Sequence, residues 1–127
     1  MGDSKELQVT KKAMQLAEHS FRLTMNIKRY PKKVRHSLVD RIQIRSMDIY
    51  ETLMEANRTD LKYRKKERLE LQTKAITYCD QMDFYIEMSN KLGFIDIKCM
   101  EYWSKMVTDI KHMAIAAKNE CCGRKNW

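Results

Sequence analysis

The chain has 127 residues and a net charge of +8, with 43% hydrophobic and 33% charged residues. Three glycines and one proline supply far fewer turns than a β-sandwich or β-barrel requires, so these classes are excluded and doubly wound α/β folds are disfavoured. The longest stretch without Asp, Glu, Lys or Arg, His112–Ala117, has six residues, too few to cross a membrane, so we expect a cytoplasmic protein with no membrane partner.

The first two predicted helices follow from apolar side chains at helical spacing. Segment one covers about Ser4–Ile27, and the following Pro31 cannot continue a helix. Segment two covers about Lys33–Asn57 and carries a narrow apolar stripe that is typical of a core-facing helix. The stretch Asn57–Asp60 is rich in capping residues, so it predicts the next break.

Two further helices follow in the second half of the chain. Segment three covers about Leu61–Leu92 and ends where Gly93 can adopt the left-handed conformation of a helix cap. Asp96 is placed to cap segment four, which runs to about Cys121.

Four long helices with short connections predict an all-α fold, an antiparallel up-down four-helix bundle. We expect one domain over residues 1–127, with short flexible ends at about 1–4 and 122–127. The residues predicted to lie in the core are Leu38, Ile42, Leu53, Ile76 and Trp103.

A second apolar row on segment two predicts self-association. Met47, Tyr50 and Met54 recur at helical spacing on the side opposite the core stripe. A subunit interface of a homo-oligomer is the favoured interpretation, and a wide bundle core is the alternative.

Basic side chains concentrate in two stretches, Lys28–His36 with five bases and no acid, and Arg58–Arg68 with six bases and two acids. Each stretch is predicted at a helix start, where the helix dipole favours acids, so stability does not explain the bases. Binding of phosphate groups does explain them, and solvated helix ends or an anionic membrane surface are the alternatives. The candidate nucleic acid contacts are Lys28, Arg29, Lys32, Lys33, Arg35, Lys62, Arg64, Lys65, Lys66, Arg68, Arg124 and Lys125.

No pattern of residues predicts catalysis. The three histidines have no partner in a metal-binding register, and neither a phosphate-binding glycine loop nor a paired Cys/His motif is present. We therefore expect no enzyme activity, no cofactor and no metal. The adjacent Cys121 and Cys122 favour a reducing compartment.

Arg45 falls at the centre of the apolar stripe of segment two. A buried charge requires a partner, and Glu18 is the nearest candidate when the helices are aligned. The alternative is an arginine that extends to solvent at the edge of the stripe.

Several short motifs resemble one family of small bacterial four-helix-bundle proteins. They are Tyr30-Pro31-Lys32, then Arg35, Ser37-Leu38, Arg41-Ile42 and Leu53-Met54-Glu55-Ala56-Asn57. The break at Leu92-Gly93-Phe94-Ile95-Asp96, followed by Tyr102, is similar to the later half of the family. The resemblance covers about residues 10–123. The family includes the accessory variability determinants of diversity-generating retroelements and proteins encoded in intervening sequences of ribosomal RNA genes.

The resemblance implies a non-catalytic homo-oligomer, with a pentamer as the best estimate. It implies a protein that binds the retroelement's reverse transcriptase together with template RNA or cDNA, and it adds Arg41 to the candidate contacts. A protein of a ribosomal RNA intervening sequence, with an RNA-binding or scaffold role, is the alternative. The chain departs from the family at its ending, Cys121-Cys122-Gly123-Arg124-Lys125-Asn126-Trp127, and at Arg45.

Overall fold

The computed structural model describes residues 4–123, and these residues form four α-helices and no strand. Helix α1 is Lys5–Thr24, α2 is Asp40–Arg58, α3 is Lys65–Lys91 and α4 is Ile97–Gly123. The predicted all-helical fold is therefore confirmed.

Each helix packs antiparallel against the next, and α4 closes the bundle against α1. The Asn57 side chain at the end of α2 donates a hydrogen bond of 3.2 Å to the Glu6 carbonyl at the start of α1. Trp103 near the start of α4 donates from Nε1 to Ser20 Oγ near the end of α1, at 3.0 Å. One pole therefore holds the α2–α3 connection, and the other holds the α1–α2 and α3–α4 connections.

Local capping signals set three of the helix ends. Ser4 Oγ accepts from the Leu7 N–H at 3.1 Å, and Asp96 Oδ1 accepts from the Cys99 N–H at 2.8 Å, so both caps begin a helix. Gly93 has a φ of +83°, and the N–H groups of Gly93 and Phe94 donate to the Asn90 and Ser89 carbonyls. This is the left-handed cap that the sequence predicts.

The predicted starts of segments two and three are wrong by several residues. Pro31 precedes a 3₁₀ turn, Lys32–Val34, and a π-helical turn, Arg35–Val39, before α2 begins at Asp40. Asp60 Oδ1 accepts hydrogen bonds from two following N–H groups, which holds residues 60–63 in a turn and delays α3 to Lys65.

The outer helix limits also differ from the prediction. The first helix ends at Thr24, three residues before the predicted end, and α4 continues past the predicted end at Cys121 to Gly123. Residues 1–3 and 124–127 lie outside the described range. No helix within residues 4–123 is both long and apolar enough to cross a bilayer.

The core runs along the axis between the four helices. Of the predicted core residues, Ile42, Leu53 and Trp103 are buried, whereas Leu38 and Ile76 are half-buried and pack on its margin. Other buried side chains include Leu16 and Tyr85, which are not among the predicted core residues. A stripe drawn at 100° per residue cannot resolve such marginal positions, because the width of the buried face depends on the neighbouring helices.

Candidate nucleic acid interface

The first basic patch comprises Lys28, Arg29, Lys32, Lys33 and Arg35, in the connection between α1 and α2. Four of its side chains are exposed, and Arg29 is half-buried, with Nη1 3.8 Å from Cys99 Sγ. Within residues 4–123, none of the five forms an ion pair with a carboxylate. The patch therefore presents its charge to solvent without local neutralisation.

The backbone under the first basic patch is irregular, which corrects one step of the sequence argument. Lys32, Lys33 and Arg35 lie in the 3₁₀ and π-helical turns that precede α2. The dipole of α2 therefore affects these three residues less than it would affect residues in the first turn of the helix. Tyr30 anchors this connection, because its ring is buried in the core and lies 5.3 Å from the Phe94 ring.

The second basic patch comprises Arg58, Lys62, Arg64, Lys65 and Lys66, at the opposite pole. Arg58, Lys62 and Lys66 are exposed, and the structure gives them no carboxylate partner within residues 4–123. Only Lys65 and Lys66 belong to the first turn of α3. Lys62 and Arg64 precede the helix, so the helix-start argument applies to two residues rather than to the whole group.

Arg64 is engaged by an acid in the same turn. Its guanidinium forms an ion pair with Glu67, and Nε donates to Glu67 Oε2 at 2.9 Å. This hydrogen bond raises the pKa of Arg64 and lowers the pKa of the Glu67 carboxyl. Because the Glu67 carboxylate offsets its charge, Arg64 contributes less net charge to the patch than Lys62 or Lys66.

Arg68 lies inside the bundle, which removes it from the proposed contact surface. The residue is only 9% exposed. Its guanidinium donates to the Thr59 carbonyl at 3.1 Å, to the Asn57 carbonyl at 3.4 Å and to Glu6 Oε1 at 2.8 Å. Arg68 thus ties the starts of α1 and α3 to the end of α2, and it is a structural residue.

The remaining predicted contacts are scattered or fall outside the description. Arg41 is exposed on the first turn of α2. Arg124 and Lys125 lie outside residues 4–123. All the described candidates except Arg41 and the buried Arg68 therefore lie in the two separate patches.

One exposed aromatic residue in the second basic patch was missed by the sequence analysis. Tyr63 is 78% exposed, and the Lys62 ammonium lies over its ring, 5.3 Å from the centroid. A signal was available, because Tyr63 follows the capping-rich break and belongs to no apolar stripe.

The predicted interface row lies on the α1 side of α2, not opposite the core. Gln43 and Asn57 both hydrogen-bond to α1, and Met47, Tyr50 and Met54 continue the same helical row between them. Met47 is 40% exposed, whereas Tyr50 and Met54 are half-buried and Tyr50 packs on the core margin. The row is thus partly a rim of the bundle core.

The partner predicted for Arg45 is wrong. Arg45 Nη1 donates to Asp48 Oδ2 at 2.8 Å, and its guanidinium carbon lies 4.6 Å from the Tyr78 ring centroid on α3. Glu18 instead pairs with Arg22 on its own helix, at 3.1 Å. Arg45 therefore lies at the α2–α3 seam, where an adjacent acid and an aromatic ring stabilise its charge.

The cysteines of the described residues form no disulfide bond with one another. Cys79, Cys99, Cys121 and Cys122 are free thiols, and burial raises the pKa of Cys79 to about 12. Among residues 4–123, no group of three His, Cys, Asp or Glu side chains is placed to hold a metal ion.

Comparisons with known proteins identify the fold and no more. No family model matches the chain, and no curated protein matches it. A solved structure does match, with a TM-score of 0.80 and 14% identity over 91% of this chain and 99% of the other. That structure is a protein of unknown function from the S23 ribosomal protein family of Bacteroides thetaiotaomicron. At this identity the likeness establishes a shared all-helical fold.

Proposed function

We propose that this protein is a non-catalytic, nucleic acid-binding accessory protein of a diversity-generating retroelement. In this role it binds the reverse transcriptase and the template RNA or cDNA, and it supports mutagenic reverse transcription. The observation that carries nucleic acid binding is the pair of basic patches at opposite poles, in which Lys32, Lys33, Lys62 and Lys66 are exposed and have no carboxylate partner within residues 4–123. The retroelement part rests on the family resemblance of the motifs between Tyr30 and Asn57.

Electrostatics supports a polyanionic partner. Lys32 and Lys33 at one pole, and Lys62 and Lys66 at the other, extend into solvent without a carboxylate partner within residues 4–123. Clustered like charges repel each other and stabilise nothing in the folded chain. Binding of nucleic acid phosphates to these side chains relieves that repulsion and releases the counterions condensed on the nucleic acid. This counterion release is the main driving force of nonspecific nucleic acid binding.

Self-association is part of the proposal. Met47 is exposed beside Tyr50 and Met54, and Leu7 and Met14 add exposed apolar area on α1. A homopentamer is the state that the family resemblance implies. A ring of subunits would repeat each basic patch and present basic rings at both ends, to which a long polyanion binds more tightly than to one patch.

A second function is favoured by a different observation. The similar solved structure is described as a member of the S23 ribosomal protein family. The alternative is the one that the family resemblance also gives, a four-helix protein encoded in a ribosomal RNA intervening sequence, with an RNA-binding or scaffold role. Gene neighbourhood separates the two, because the retroelement role requires a reverse transcriptase gene and a pair of repeats nearby. Co-purification with that reverse transcriptase then tests the partner directly.

Nucleic acid binding is tested by charge reversal at each pole, with fluorescence anisotropy of a labelled RNA over a range of salt concentrations. Lys62→Glu with Lys66→Glu, and Lys32→Glu with Lys33→Glu, should each weaken binding. Each should also lower the log–log salt slope by about 0.7 per lost phosphate contact on a single strand. The matched control, Lys12→Glu with Lys74→Glu, changes the same net charge at exposed lysines on the sides of α1 and α3 that have no carboxylate partner within residues 4–123, and it should alter both quantities much less.

The combined four-site reversal is the decisive variant. If it folds and still binds RNA as tightly as the unaltered protein, both patches are solvated surface and the proposed function is wrong. Anionic vesicles in place of RNA test the membrane alternative under the same conditions.

A further inference from the structure

The second basic patch carries an aromatic ring that the fold does not use. Tyr63 is 78% exposed, the largest exposure among the exposed large hydrophobic side chains of the described residues. Its backbone lies in a hydrogen-bonded turn, because its N–H and that of Lys62 both donate to Asp60 Oδ1 at 2.8 Å. This turn places the ring in solvent at the pole of the bundle.

The tyrosines of the two basic patches differ in burial. Tyr30, in the first basic patch's connection, is 2% exposed and packs against Phe94. Burial explains an aromatic residue there, since it closes the core. No such packing explains Tyr63, and its exposure of apolar area in water is unfavourable for the isolated chain.

The surroundings of Tyr63 select one class of ligand. The Lys62 ammonium lies 5.3 Å from the ring centroid, and the exposed side chains of Arg58 and Lys66 belong to the same patch. An exposed ring set among phosphate-binding cations is the arrangement with which proteins bind single-stranded nucleic acid. The ring stacks on an unpaired base while the cations contact the backbone on either side.

We infer that Tyr63 is a stacking platform for an unpaired nucleobase, so that the second basic patch binds single-stranded nucleic acid in preference to duplex. This inference rests on the proposed function. In a duplex the faces of the bases are covered by their neighbours, so the ring gains nothing there and only the cations contribute. Stacking accepts any base and either sugar, so RNA and DNA strands both bind.

The test compares Tyr63→Ala, Tyr63→Phe and the unaltered protein. The probes are a labelled single-stranded RNA, a DNA strand of the same sequence, and the matching duplex. Tyr63→Ala should weaken binding of both single strands roughly 5- to 150-fold, from the usual loss per stacked base, and should leave duplex binding unchanged. Tyr63→Phe keeps the ring and should bind like the unaltered protein. The salt slope should stay the same in both variants, because no charge is removed.

Tyr102→Ala is the matched control, because it removes an exposed tyrosine on α4 outside both basic patches. It should leave single-strand binding unchanged. A DNA strand carrying 2-aminopurine adds a direct readout, since stacking on Tyr63 quenches its fluorescence and Tyr63→Ala should abolish the quenching.

The outcomes separate this inference from the proposed function. If Tyr63→Ala binds single strands as tightly as the unaltered protein while Lys62→Glu with Lys66→Glu weakens them, the patch binds phosphate alone and the stacking role is refuted. The stacking role is also refuted if Tyr63→Ala weakens single-strand and duplex binding equally. If the unaltered protein binds none of the three probes at low salt, the proposed function fails and the stacking role fails with it.

Discussion

Arg68→Met should destabilise the fold while leaving nucleic acid binding intact. The substitution keeps an apolar stem of similar length but removes a guanidinium that donates to the Thr59 and Asn57 carbonyls and to Glu6. The Asn57 and Thr59 carbonyls would then lack these donors at the junction of three helix ends.

The magnitude follows from the three contacts. A hydrogen bond from a charged group is worth about 1.5–3 kcal/mol, but the Glu6 side chain is 52% exposed and regains water when its partner is lost. Arg68 Nε is buried without a partner within residues 4–123, and this unsatisfied donor reduces the net stabilisation that Arg68 gives the fold. We therefore expect a loss of about 2–4 kcal/mol in the free energy of unfolding.

The assay is urea unfolding followed by circular dichroism at one fixed protein concentration, because self-association would make stability depend on concentration. Lys66→Met is the matched control, since it places the same side chain two residues away on an exposed site, and it should change stability by less than about 0.5 kcal/mol. The two variants should have the opposite effects on RNA binding: Lys66→Met should lower the salt slope, and Arg68→Met should leave it unchanged. A stable Arg68→Met variant with a reduced salt slope would refute this reasoning and return Arg68 to the binding surface.

Three further predictions address the core, a half-buried acid and assembly. Leu53→Ala should cost about 2–5 kcal/mol in unfolding experiments, because Leu53 is 3% exposed; a loss under about 0.5 kcal/mol would mean that α2 is rotated. Burial, with the nearby Asp80 and Glu87, raises the pKa of Asp83 to about 6 despite Lys111, so the folded state binds a proton more readily than the unfolded chain. This carboxyl therefore stabilises the fold at low pH, and its contribution to the free energy of unfolding falls as pH rises from about 4 to 6. In urea unfolding across this pH range, Asp83→Asn should abolish the decrease. A variant with the same pH profile as the unaltered protein would contradict this prediction. Light scattering should give several times 15.2 kDa, and Met47→Glu with Met54→Glu should reduce it to the monomer; a monomer at micromolar concentration in the unaltered protein would contradict self-association.

The order and number of the helices were predictable from the sequence because their signals are local. Ser4 and Asp96 need only the next few N–H groups to begin a helix, and Gly93 needs only its own backbone freedom to end one. The two basic patches were likewise visible as runs of charge, and short connections implied antiparallel neighbours. These features depend on residues close together in the chain, so no tertiary information was required.

Which side chains are buried, and which neighbours they contact, was decided by tertiary structure alone. Arg68 and Lys66 stand two residues apart in one basic run, yet one points into a junction of three helix ends and the other into solvent. Tyr30 and Tyr63 both lie in basic connections, but only Tyr30 meets a ring across the bundle. Which neighbour a side chain meets depends on the rotation and level of a helix that is distant in sequence, and periodicity leaves both undetermined.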